Sequence, residues 1–263
     1  MSTTVPPEVA HTHIALAGTH NFRGIGSHPA GVGRRVRDGK IYRSDALNRL
    51  TDDARATLTR LGVATIVDLR TDEECAAAPA AVDSRTVTIV RSPIFHGSLL
   101  SMLGSEITLA QLYRVMVSEH GTQLASAVRS IARSGDSAVL VNCTAGKDRT
   151  GLVVALALSA AGVHRDVVIA DYALTGGYLA GGWKQQMLAH FTAAGVATTP
   201  ELEDLIVGSP PELLGEVFDL LEGAYGDVAG YLASHGLSAI DLELLRSVLT
   251  TPDTTETKKD DHG

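Results

Sequence analysis

Ser137-Ala138-Val139-Leu140-Val141-Asn142-Cys143-Thr144-Ala145-Gly146-Lys147-Asp148-Arg149-Thr150-Gly151 passes from a short apolar run, through a glycine-bearing loop, into a second apolar run from Leu152 to Val163. The pattern is strand, loop, helix. A loop of this length can curl until its backbone N–H groups point inward, and the N-terminus of the next helix adds its own amides and positive dipole. A phosphate fits such a cradle. Cys143 stands at its base and Arg149 at its far end, with five residues between them. Amide dipoles, the helix end and a guanidinium all favour thiolate over thiol, taking a cysteine from about 8.5 toward roughly 3.5 to 7.5. Cys143 is therefore the candidate nucleophile. Arg149 offers a planar fork for two phosphate oxygens and for their charge in the transition state. Thr150 can donate its hydroxyl to the departing sulfur. Thr144, Ala145, Gly146, Lys147, Asp148 and Arg149 are the phosphate-binding positions. The bland alternative, a buried cysteine in an ordinary turn, fits this loop poorly.

Outward from the loop, strands alternate with helices. Ala64 to Leu69 is a short β-branched run and Thr86 to Val90 another, both expected as strands. Arg34 to Tyr42, around Asp38-Gly39, predicts a hairpin with a primed turn. Thr51 caps a helix reaching Leu61-Gly62, and further helices are expected at 71 to 77, 108 to 119 and 121 to 134, with a loop from Ser92 to Ser105. This order predicts an α/β fold with a parallel-rich central sheet flanked by helices, its site at the carboxyl ends of the strands. From His164 onward the chain reads as wholly helical, interrupted by Gly176-Gly177 and Gly181-Gly182, and Ser238 to Leu249 is amphipathic. One domain is expected over 13–250, between a mobile stretch at 1–12 and a disordered tail at 251–263.

The chain has 263 residues, 20% charged and 44% apolar, with a net charge of −8. Nucleic acid is a poor partner for that charge, because neutralising phosphates needs a basic face. A phosphorylated substrate is not excluded, since a cleft can be locally positive on an acidic protein. Arg34, Arg35, Arg37, Lys40 and Arg43 form a basic run, read here as a solvated hairpin unless the fold brings it to Lys147 and Arg149. Two cysteines, Cys75 and Cys143, give no disulfide framework and point to a reducing compartment, the cytoplasm. Cys75 reads as a small buried side chain rather than a resolving thiol. No signal peptide is evident, although export by a signal-independent route stays open, and Leu152 to Val163 is too short to span a bilayer. No integral membrane association is expected.

At the loop the chain resembles the cysteine-dependent protein tyrosine phosphatases, and its Ala-Gly-Lys-Asp-Arg-Thr-Gly form resembles the bacterial tyrosine and dual-specificity phosphatase family that includes mycobacterial PtpB. Asn21-Phe22-Arg23, Ile41-Tyr42-Arg43-Ser44-Asp45-Ala46-Leu47, Thr65-Ile66-Val67-Asp68-Leu69-Arg70 with Glu74, and more weakly Asp171-Tyr172 agree in order and spacing. The resemblance implies a tyrosine phosphatase-like fold, a helical lid over 164–225, no cofactor or metal, and a phosphorylated protein or phosphoinositide as substrate. It departs at Asn142, where the family usually has His. An amide can donate the same loop hydrogen bond but carries no charge, so Cys143 is expected to be less acidic than in relatives. It departs again after Arg23, where the usual Asp is missing.

Cleaving a phosphate monoester requires a proton for the leaving oxygen. Asp148, inside the loop, and Asp68, ending a strand, compete for that role, and Asp148 is favoured. Arg70 and Glu74 are expected as a surface ion pair. Lys147 tilts the reading toward phosphoinositide tolerance, against a solvated rim side chain. The rival functions are a phospho-ligand binding module without turnover and sulfur transfer.

Overall fold

The computed structural model describes residues 11–95 and 108–253. Strand β7 (Ala138–Asn142) is buried at every position and lies inside a six-stranded sheet. Its neighbours are β4 (Ile41–Ser44) and β5 (Val63–Asp68), with β6 (Thr88–Arg91) beyond β5, and these four run parallel. Continuous apolar runs suit strands covered on both faces. Beyond β4, β2 (Arg23–Ile25) and β1 (His11–His13) add antiparallel to the edge.

Alternation along β7 divides the interior. Val139, Val141 and Cys143 join the larger core, and Ala138 and Leu140 the smaller one with Phe22 and with Ala54 and Leu58 of α1 (Asp52–Arg60). Each fully buried aliphatic of this kind contributes about 1.5–3 kcal/mol. The larger core is helical: α3 (Leu109–Glu119), α4 (Gly121–Ala132), α5 (Asp148–Ala160), α6 (Arg165–Leu179), α9 (Pro211–Tyr225), α10 (Val228–Ser234) and α11 (Ala239–Leu249) all contribute. Helix α5 is buried almost all round, as its uninterrupted Leu152 to Leu158 run requires. The short α2 (Asp72–Ala77) follows β5, and α7 (Gly182–Ala193) and α8 (Pro200–Val207) complete the helices among the described residues. None of these is long and apolar enough to cross a membrane.

Several expectations are corrected. Arg34 to Tyr42 is not a hairpin: β3 (Arg34–Val36) pairs with β8 (Thr250–Pro252), while β4 pairs with β2 and β7. The turn exists, Lys40 N donating to Arg37 O at 3.3 Å, but only Gly39 has a positive φ (68°) and Asp38 does not. Either primed turn needs a positive φ at its first central residue, here Asp38, and without it the flanking strands splay. Strand β8 also ends the expectation of a wholly helical C-terminal half and orders the first residues of the expected tail. At the other end, His11–His13 is strand rather than mobile chain. Residues 1–10, the 96–107 part of the expected loop and the 254–263 part of the tail lie outside the described residues.

Gly176-Gly177 does not interrupt a helix but lies within α6. A Cβ on Gly176 would come within 3.1 Å of Ser209 Oγ, whose hydroxyl accepts from Gly176 N at 2.8 Å. Close approach explains the glycine. The span expected as a lid is uneven in burial: α6 and α9 bury Val168, Tyr172, Leu214, Val217 and Phe218 in the core, whereas α7 and α8 bury only Phe191 and Ile206.

Candidate active site

The parallel strands β4, β7 and β5 bring the quoted motifs to one sheet edge. Between β7 and α5 the loop makes its tightest approach at Gly146, whose φ is +66° and whose Cβ, if present, would lie 2.4 Å from the Ser44 carbonyl oxygen. Only glycine fits. Three consecutive carbonyls face away from the loop's interior. Thr144 O accepts from Ala46 N at 3.1 Å, and Ala145 O and Gly146 O each accept from Asn21 Nδ2 at 3.0 Å. Arg43 Nη2 also donates to Gly146 O, at 2.9 Å. Because each peptide is planar and trans, a carbonyl turned outward turns the next N–H inward. The N–H groups of Ala145, Gly146 and Lys147 are thereby aimed into the cradle, beside the free first-turn amides of α5.

Beneath the loop lies a buried ionic network. Arg23 Nε donates to Asp171 Oδ1 at 3.2 Å and Arg43 Nη1 to Asp171 Oδ2 at 2.7 Å. Arg23 also reaches Asn21 Oδ1 at 2.5 Å, Thr175 Oγ1 at 3.0 Å and the Asp171 carbonyl at 2.9 Å. Burial opposes the charge on Asp171, yet the two guanidiniums hold its carboxyl below the ordinary range. Burial, and then Arg43, lowers Arg23 to about 10. Two cations thus share the single carboxylate of Asp171. The Asp45 carboxylate adds a further tie, accepting from the N–H groups of His20 and Asn21 at 3.0 Å each.

Arg149 is clamped from the opposite side. Its Nη1 and Nη2 donate to Glu74 Oε2 and Oε1 at 2.6 and 2.8 Å, while Thr144 Oγ1 donates to Glu74 Oε1 at 2.5 Å. The Phe95 ring lies 5.9 Å from the guanidinium carbon. Burial works against the Glu74 charge, but Arg149 overrides it and lowers the carboxyl to about 2. Glu74 is itself fixed by a capping box, its Oε2 accepting from Thr71 N at 2.8 Å. The expected Arg70–Glu74 surface pair is thus replaced. Arg70 is buried and holds Asp68 through Nε and Nη2 at 3.0 and 2.7 Å.

That pairing separates the two candidate acids. Asp68 is occupied by Arg70, by Arg91 at 3.2 Å and by the Cys75 thiol at 3.4 Å, so neither oxygen is open to the cradle. Asp148, in the first turn of α5, has a buried Oδ1 with no hydrogen-bond partner among the described residues. Thr150 Oγ1 is likewise buried and unpartnered. Cys143 is buried at the end of β7. Cys75 is half-buried on α2, where burial first and Asp68 second push its thiol up.

Lys147 is neither a rim side chain nor open to a second phosphate. It is fully buried, and its Nζ donates to Leu205 O at the end of α8 at 2.6 Å. Asn142 also departs from expectation: it is fully buried, and neither Nδ2 nor Oδ1 has a partner among the described residues. Alternation puts its side chain on the Leu140 face, opposite Cys143, and it makes no bond to the loop it was expected to support. The basic run does not converge on the site. Arg34 and Arg37 bond Thr250, Arg35 bonds Ser27, and Lys40 bonds Ser134 and Gly135 at the far end of β4; Arg43 alone reaches the loop.

Sequence reasoning missed Glu74 as the partner of Arg149 and Asp171 as the common anion. The first had a visible signal, the Thr71-x-x-Glu74 capping box. The second had only its place after the loop.

A family model described as "Tyrosine phosphatase family" matches residues 14–251. The triple specificity protein phosphatase PtpB of Mycobacterium tuberculosis is 30% identical, over 89% of this chain and 98% of its own. A tyrosine-protein phosphatase of Nostoc commune is also 30% identical, over 78% of this chain and 72% of its own. Among solved structures, P. aeruginosa TpbA aligns with 80% of this chain and 96% of its own at 20% identity, with a TM-score of 0.35.

Proposed function

The chain belongs to the tyrosine phosphatase family and is a phosphatase, and from that premise we propose that it hydrolyses phosphotyrosine without a metal, through a phosphocysteine intermediate. The observation that carries this reading is the clamp of Arg149 by Glu74 above a loop whose carbonyls are bonded outward. The phosphate oxygens sit against the inward amides and Arg149, which stabilise charge as it develops. The Cys143 sulfur attacks phosphorus while the bond to the leaving oxygen breaks, and Asp148 gives that oxygen its proton. Water then attacks the phosphocysteine, Asp148 takes back a proton, and the thiolate departs with the Thr150 hydroxyl donating to it. Asp68 is a structural carboxylate in this scheme.

The commitment of Lys147 to Leu205 O argues for a singly phosphorylated aryl substrate over a phosphoinositide. The triple specificity named for PtpB makes phosphoserine, phosphothreonine and phosphoinositides the comparison substrates. Hydrolysis of p-nitrophenyl phosphate in EDTA, abolished by Cys143→Ser, is the expected result. Phosphate binding without turnover in the wild-type protein would instead make it a binding module.

A further inference from the structure

Two buried tyrosines, bonded to each other, pack against the start of α5, which carries the proposed acid, and the scheme above gives neither a task. Tyr113 on α3 is fully buried, its hydroxyl 2.9 Å from that of Tyr172 on α6. The rings meet edge to face at 6.0 Å. Tyr172 lies so close to Gly151 that a Cβ there would come within 2.9 Å of the ring, which pins the pair to the beginning of α5. Burial first, and the Asp148 charge with it, keeps both hydroxyls protonated well above the usual tyrosine range. Both hydroxyls therefore retain their hydrogens through the working pH.

Two hydroxyls carry two hydrogens, and their mutual bond uses one. The other is unspent, and among the described residues Asp148 Oδ1 is a buried acceptor without a hydrogen-bond donor. A group that both gives and takes a proton needs a partner suited to each state. Lys147, 3.6 Å from Oδ1, can only donate and is already held by Leu205 O. A neutral hydroxyl donates to a carboxylate and, more weakly, to the carbonyl oxygen of the carboxylic acid, leaving the acid's own proton free for the substrate.

We propose that Tyr113 and Tyr172 are positioning residues for Asp148. Tyr172 donates to Tyr113 and Tyr113 to Asp148 Oδ1, more strongly when Asp148 is the carboxylate; when Asp148 carries the proton on Oδ2, Tyr113 still holds Oδ1 and leaves that proton facing the leaving oxygen. The inference rests on Asp148 being the acid. The other charges acting there are Lys147 and Arg149 from its own segment and Arg43 behind Tyr172, and a Tyr→Phe change removes none of them.

The test is the pH dependence of kcat/KM on phenyl phosphate, whose leaving group needs the acid, with p-nitrophenyl phosphate as the less demanding substrate. Asp148→Asn should abolish the basic limb. Tyr113→Phe removes a donor to the carboxylate, so the limb should move up by about one pH unit. Its kcat should fall about tenfold on phenyl phosphate and less on p-nitrophenyl phosphate. Tyr172→Phe should act in the same sense more weakly, and it keeps the test open if Tyr113→Phe folds poorly. Tyr231→Phe loses a buried bond to Val117 O, 2.8 Å long, that involves neither Asp148 nor its two tyrosines; it should lower Tm and leave the limb unmoved. If Asp148→Asn abolishes the limb while both Phe variants leave it unmoved or shift it downward, the pair has no positioning role. If Asp148→Asn keeps the limb, Asp148 is not the acid and the inference falls with that reading.

Discussion

The two sides of the cradle are built in opposite ways. Below it, Asn21, Arg23, Arg43 and Asp171 are buried, and their bonds interlock. Above it, α7 and α8 have one buried residue each, and the Lys184–Glu203 ion pair joining them is about a third exposed on both sides. Interlocked buried charges allow one arrangement, because moving any member leaves another desolvated and unpaired. A rim of exposed contacts can shift at little cost. The backbone of the cradle is thus fixed from beneath, and adaptability is left to the side of α7 and α8. Lys147 crosses between them, with its stem in the loop and its ammonium on α8.

The contrast is tested hardest at Asp171. Asp171→Asn leaves Arg23 and Arg43 buried without a countercharge. Breaking a buried pair from one side costs about 3–5 kcal/mol, which for a chain of this size lowers Tm by roughly 10 °C. Calorimetry checks this, and a loss below 1 kcal/mol would mean that the network is not what fixes the loop.

Next in size is Glu74→Gln. Glutamine can keep one bond to Arg149 but not the charged bidentate pair, so kcat should fall roughly tenfold with KM no higher. Stability should also change with pH. The folded Glu74 carboxyl is lowered to about 2, below an unfolded value of about 4.3. Its stabilisation, on the order of 3 kcal/mol, is therefore complete above pH 4.3 and lost as the pH falls toward 2. The Gln variant should show a flatter stability curve across that window, measured by urea unfolding at stepped pH. Parallel curves for the two proteins would remove Glu74 as the anchor.

What was legible in the sequence follows the same division. Cys143 to Arg149 could be read because strand, loop and helix are contiguous, so spacing alone sets the geometry. The partners of that loop could not. Asp171 meets Arg23 across 148 positions, and Tyr113 meets Tyr172 across 59; neither pairing exists before the helices have packed. Glu74 was half legible: its capping box accounts for one oxygen's bond and hides the clamp both oxygens make on Arg149. The glycines misled twice. Gly39 marks a turn whose handedness depends on Asp38, and Gly176 marks a neighbour's approach rather than a hinge. Polarity did not distinguish α6 and α9, which are core, from α7 and α8, which are rim, because each carries mixed residues and only packing reveals which face is covered.

The smallest effect is expected at the rim. Lys184 Nζ lies 2.5 Å from Glu203 Oε2, a short contact in the structure. Length is a poor guide to its worth, because exposed pairs lose side-chain entropy on forming and are screened by salt, leaving roughly 0.2–1 kcal/mol. Lys184→Ala should shift Tm by no more than about 2 °C and leave the kcat for p-nitrophenyl phosphate unchanged. In a double-mutant cycle with Glu203→Ala the coupling should shrink further at 1 M salt. A coupling as large as the Asp171 effect would instead mean that α7 and α8 are locked as firmly as the network beneath the cradle, and the rim could not then be the adaptable side.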